Sequence, residues 1–325
     1  GTISVEDPNS VLTQTGSSKL TLGAAANSTG LLQLTGGGTF TTGTGTVTVN
    51  PTGRIEIDGG TLNCNGLLDI DGGQLEQISG SLNMPTGGQI TVQNGGDVIY
   101  DDTYRIDDDN TVTVTDSGST WHSDSHLYVG YDSAGTLNLT GGADLTADVN
   151  VFVGRNVGAD GTVLVDGANT NFSTTNSVYV GGSTSSAQGN ATFTVSNSSR
   201  LDVANRLKIY DTANFTLDWG NVNANIVELA PGASFNATDR SGLLFTNTLV
   251  GFGDNIDLDC LLYIGTNVGG TGGSHTVGAG QSLDIEDYCT IGYNAAGILT
   301  ISDGGDVSNG AVSYIGADDE AAMLG

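Results

Sequence analysis

Several of the 36 acidic side chains in this 325-residue sequence are grouped in a way that suggests cation binding. One set is Asp101, Asp102, Asp107, Asp108 and Asp109. A second is Asp254, Asp257 and Asp259, and a third is Asp318 and Asp319, with Glu320 beside them. Carboxylates with asparagines and backbone carbonyls nearby are the donors Ca2+ takes, at about six to eight oxygens per ion. There is no EF-hand loop and no GGxGxDxUx array. The expectation is therefore Ca2+ as an optional ligand, with no cofactor required. His122 and His126 stand four apart on a strand–turn–strand segment, His275 is isolated, and no cysteine lies close to them, which speaks against zinc.

Other chemistries need arrangements the chain lacks. There is no Ser-His-Asp pattern, P-loop or dinucleotide fingerprint. A polysaccharide lyase needs a base beside Ca2+-ligating carboxylates, and of the eight lysines and arginines only Arg200, Arg206 and Lys208 are close together. With a net charge of −28, binding to nucleic acid through phosphates is excluded, and so is attraction to an anionic membrane surface. No apolar stretch is long enough to insert into a membrane. Cys64, Cys260 and Cys289 are too few for a disulfide framework. Cys260 and Cys289 lie about one repeat apart, but their different offsets from the following Ile-Gly argue against stacking.

The elements that would position such groups are short strands. Glycine (51 residues), Thr, Ser, Asn and Asp are abundant and proline is scarce (4), which mixes turn chemistry with β-branched strand chemistry along the whole length. No 3.6-residue apolar period is sustained. Two motifs recur. A strand ending in glycine appears as LYVG (127–130), VFVG (151–154), VYVG (178–181), LYIG (262–265), CTIG (289–292) and SYIG (313–316). Between them runs an alternating strand followed by glycines, as in RIEIDGGTL (54–62), TLNLTGGADL (136–145) and ILTISDGGDV (298–307). Alternation such as Leu137/Leu139 sends one side of each strand inward. A short strand alone buries too little, whereas stacked coils bury a continuous apolar column. The expectation is an all-β, single-chain parallel β-helix, right-handed by the crossover rule, of about 13 coils of about 24 residues. It comprises residues 1–325 as one solenoid: less regular coils over 1–110, regular repeats over 111–210, irregular coils over 211–260, and regular repeats over 261–325 that end in mid-coil.

The stretch DSGSTWHSDSHLYVGYDSAGTLNLTGGADL (116–145) resembles the repeat shared by type V secretion passengers and PEP-CTERM surface proteins. Ser119, Trp121, Gly130, Gly135, Leu137, Gly141 and Gly142 carry the match. The resemblance is good over 111–200 and 261–316 and weak over 1–110. It implies a bacterial β-solenoid that is extracellular or on the cell surface, and it supplies no catalytic residue.

Two kinds of interaction site follow. In the strands before each glycine, Tyr128, Phe152, Tyr179, Tyr263 and Tyr314 point outward, with Thr290 as the exception. Stacked on successive coils they would form aromatic files, either as structural ladders or as platforms for sugar rings or other surface components. The second site is a junction. The sequence stops in the loop after SYIG, with Met323, Leu324 and Gly325 as its last residues, and starts on GTISV, the strand that loop lacks. Gly1, Thr2, Ile3 and Val5 with Tyr314, Ile315, Met323, Leu324 and Gly325 would then complete one coil between two copies, joined head to tail. The expected function is a non-enzymatic extracellular structural protein, the subunit of a filament or surface sheath. A carbohydrate-binding adhesin is the alternative, and a polysaccharide lyase a more distant one.

Overall fold

The computed structural model describes residues 1–25, 27–251, 254–265, 273–279, 281–293 and 295–316, apart from the side chains of 238–241 and 254–257. The chain is all-β. Its parallel strands stack as a β-solenoid of about 12 turns with about 23 residues per turn, close to the expected 13 coils of 24. At about 4.8 Å between strands this gives a rod on the order of 58 Å long.

Each turn contributes three strands, so the strands form three columns along the rod. One turn shows the pattern. Ala134–Thr140 lies in the second column, Asp144–Ala147 in the first and Val151–Val153 in the third. Each pairs in parallel with its counterparts one turn below and one turn above. Alternation decides what is buried: Leu137, Leu139, Leu145, Val151 and Val153 are all enclosed, while Thr136 and Asn138 between them face outward. Each such side chain removed from water contributes about 1.5–3 kcal/mol. Larger groups fill the middle of the rod, where Phe172, Phe193, Phe215 and Phe235 stack at centroid separations of 5.9, 5.4 and 5.1 Å.

The corners explain the glycines. Gly130, Gly154 and Gly181 end the strands of the first trio with φ of 73°, 67° and 87°, and Gly265, Gly292 and Gly316 repeat this in the second with 81°, 83° and 72°. These are left-handed values that a Cβ disfavours. In the pair Gly72-Gly73 the first residue has φ of 74° and the second does not. A Cβ on Gly73 would instead lie 2.5 Å from the Asn50 carbonyl oxygen. The double glycine thus serves two separate needs.

The columns depart from a simple repeat in two places. The trio at 127–129, 151–153 and 178–180 lies in the third column. The trio at 262–264, 289–291 and 313–315 lies in the first, because 261–264 pairs with 243–246, which pairs with 221–224. Between the trios the chain visits the three columns in unbroken order, and the glycine-ending motif falls on a different column.

The other departure is a break. Strands at 11–13, 39–41, 61–63 and 81–83 form the lower part of the third column, and Tyr104–Ile106 begins its upper part. Among the described residues no ladder pairing joins 81–83 to 104–106. Tyr100 is buried there and its ring packs against Tyr104 at 4.6 Å. A cleft of about 470 Å³ opens at this point, lined by Leu82, Asn83, Asp102, Arg105, Asp107 and Asp108 among others.

Candidate functional site

The outer face of the third column carries Arg105, Tyr128, Phe152, Tyr179 and Lys208 in register on five successive turns. Tyr128 and Phe152 stack at 5.0 Å with 11° between planes, and Phe152 and Tyr179 at 5.2 Å with 15°. Phe152 is only 3% exposed. The Arg155 guanidinium lies 5.1 Å from its ring centroid, and Arg105 lies 3.8 Å from that of neighbouring Tyr131. Burial pushes the Tyr128 hydroxyl above its ordinary range. The ring faces are spent on one another and present edges to solvent. A sugar stacks on a face, so this geometry suits a structural ladder with cationic residues at both ends.

The expected files are not continuous. Tyr263 is buried in the first column, where it stacks on Phe245 at 4.5 Å and meets Tyr293 at 4.9 Å. Tyr314 is separated from it by Thr290, which stands in register between them. The Tyr288 ring lies 6.4 Å from that of Tyr314.

The first carboxylate set divides into different tasks. Asp107 accepts from the backbone N–H groups of Tyr131, Asp132 and Ser133 and from the Ser133 hydroxyl, at 2.8–3.1 Å. It clamps the loop of the next turn, and its oxygens are filled. Asp108 and Asp109 hold left-handed corner positions with φ of 56° and 61°, and their backbone N–H groups bond Ser133 and Ala134. Asp102 accepts from the Thr103 N–H at 2.6 Å. Asp101 belongs to a different corner, beside Asp124. Asp259 is half-buried. The side chains of Asp254 and Asp257, and all of Asp318, Asp319, Met323, Leu324 and Gly325, lie outside the described residues. A group containing His122, Asp124 and Asp148 was missed by sequence reasoning. Its signal was the recurrence of Asp101, Asp124 and Asp148 at one-turn spacing.

Two carboxyls are held above the usual range. Asp69 is raised by burial, against its bond from Gln93, with Asp71 adding to the rise. Asp101 is raised by burial, then by Asp124 and Glu76. Each binds a proton more readily in the folded chain than in the unfolded one. The stability they withhold at neutral pH therefore returns as pH falls through their raised range. The melting temperature should rise as pH falls from neutral into the carboxylate range, measured by calorimetry at constant salt. A flat or falling trend over that window would refute the two assignments.

Four of the eight lysines and arginines are matched by acids. Arg54 pairs with Glu76 and Glu56, the latter at 3.0 Å, and Arg200 pairs with Asp202 at 2.7 Å. Arg206 and Lys208 share Glu228, at 2.7 and 2.8 Å. Burial acts to lower Lys208, but the bond to Glu228 and its charge outweigh it, so the amine is held above the ordinary lysine range. An amine kept protonated in this way is poorly suited to act as a lyase base. All three cysteines are buried free thiols, and burial pushes Cys289 up to about 11.

The ends differ from the middle. At one, Thr2–Val5 pairs only with 31–34, Val5 is buried, and Val11 and Leu12 are exposed. At the other, Ser313–Ile315 pairs only with 289–291; Ile298, Ile301 and Val312 are exposed, and Ile315 is 85% exposed. Both strands belong to the first column. Thr2–Val5 is its first member and Ser313–Ile315 its last among the described residues.

The stacked parallel columns place the chain among the β-solenoid proteins. No protein-family model and no curated protein matches it.

Proposed function

We propose that the chain is a non-enzymatic structural solenoid that stacks end to end into a filament or sheath outside a bacterial cell. The supporting observation is that Thr2–Val5 and Ser313–Ile315, the outermost strands of one parallel column among the described residues, run in the same direction. A second copy placed along the axis meets a strand edge of the same direction, and the exposed apolar side chains Val11 and Leu12 meet Ile298, Ile301 and Ile315. Such a contact is heterologous and does not close, so it propagates. Open strand edges are templates for this kind of addition. The matched cations and the protonated Lys208 support the non-enzymatic reading, and the covered ring faces weigh against a sugar platform on Tyr128, Phe152 and Tyr179. The extracellular setting rests on the repeat resemblance.

Electron microscopy and sedimentation of the purified chain test this. Concentration-dependent rods many subunits long are expected, and Ile315→Asp should leave single rods with an unchanged melting curve. Single rods of native protein at every concentration would overturn the proposal.

A further inference from the structure

The outer corner after the first column carries Asp101, Asp124 and Asp148 on three successive turns. The backbone N–H groups of these residues make the same bond to the turn below, to Gln77, Tyr100 and Ser123. No lysine or arginine pairs with them among the described residues. His122 projects from the middle turn between the carboxylates. Its Nε2 lies 2.5 Å from Asp124 Oδ1 and 3.6 Å from Asp148 Oδ2. Among the described residues these three are the one set of His, Cys, Asp or Glu side chains whose donor atoms all lie within 4.8 Å of one another.

We propose that His122, Asp124 and Asp148 form a surface site for a divalent transition-metal ion, with Zn2+ as its representative. The donor set is one imidazole nitrogen and two carboxylate oxygens, a combination that suits first-row divalent ions better than Ca2+, which takes oxygen alone. Around Zn2+, bonds of about 2.0–2.2 Å put tetrahedral donors roughly 3.3–3.6 Å apart. The His122–Asp148 separation already meets this. The shorter His122–Asp124 contact opens by about 1 Å to admit the ion. All three side chains are partly exposed and can make that adjustment, and the remaining position is left to water. Two observations add to the geometry. Asp124 and Asp148 directly follow Ser123 and Ala147, the last paired residues of the ladder, which holds the two corners one turn apart. The row also carries negative charge that no lysine or arginine pairs with among the described residues, Asp101 standing next below. The other histidines do not compete for this position. His126 accepts the Asn150 N–H through Nδ1 and packs by Phe152, and His275 is buried with Nδ1 at 3.0 Å from the Leu249 carbonyl.

The test is titration of Zn2+ into the purified chain at about 0.15 M salt, where diffuse attraction to the acidic surface is screened. Calorimetry gives stoichiometry and affinity, and nitrogen-detected NMR of the three imidazoles reports the ligand directly. One ion per chain, with a shift of the His122 ring signals alone, is expected. His122→Gln and Asp148→Asn should each weaken binding at least about tenfold, with Asp303→Asn unchanged. Both substitutions lie on outward-facing positions, and circular dichroism verifies the fold. Two results would overturn the site: equal affinity in wild type and both variants, or many weak equivalent ions with still His122 signals.

Discussion

Phe193→Ala is expected to lower stability by about 3–5 kcal/mol and to split the unfolding transition in two. Phe193 is fully buried and stands between Phe172 and Phe215 in the interior stack. Truncating it removes both ring contacts and leaves a cavity that parallel backbones on either side cannot collapse to fill. In a solenoid each turn touches only its neighbours, so cooperativity depends on the interface between adjacent turns. Weakening one interface near the middle uncouples the turns below from those above. Calorimetry with denaturant titration measures this, and Phe193→Leu, which preserves most of the volume, should cost less than about 1.5 kcal/mol. A single transition and a loss below about 1 kcal/mol would show that the ring ladder does not join the halves.

Gly161→Ala is expected to be nearly as damaging by a different mechanism. A Cβ at Gly161 would lie 2.2 Å from the Val129 carbonyl oxygen and 2.4 Å from the Gly154 amide nitrogen. Both are backbone atoms and neither can swing aside. The corner must open, which strains the ladder between 134–140 and 160–166. A loss above about 2 kcal/mol is expected, with faster hydrogen exchange confined to these turns. Gly158 supplies the contrast. Nothing lies within 4 Å of a Cβ there, although φ is 88°. Gly158→Ala should therefore cost only the conformational strain, about 1–2 kcal/mol. Equal losses at the two positions would remove the steric account.

The spacing of these glycines made the solenoid legible in the sequence. The alternation at Leu137 and Leu139 and the strand-ending Gly130, Gly154 and Gly181 are local features, and each coil states them again. Which column a motif occupies is not local. Tyr128 and Tyr263 sit in nearly identical tetrapeptides, yet one is on the third column and the other on the first. No tetrapeptide records how many corners precede it. The carboxylates misled for a related reason. Asp107 was grouped with Asp101 by nearness in sequence, but its oxygens go to 131–133, one turn on. His122, Asp124 and Asp148 come together because residues a turn apart are neighbours in space.

The break in the third column changes how the rod responds to load. Across that level two columns continue as hydrogen-bonded ladders, and in the third a cleft lined by Leu82 and Tyr100 interrupts the pairing. A beam supported on two of its three sides is stiff against stretch and twist but compliant in one bending direction. In a filament, each subunit would then carry a directional hinge, and bends would accumulate on a set side of the fibre instead of averaging out. The long-range shape of such a fibre, whether straight or coiled, would be set by the level at which one column's pairing is interrupted.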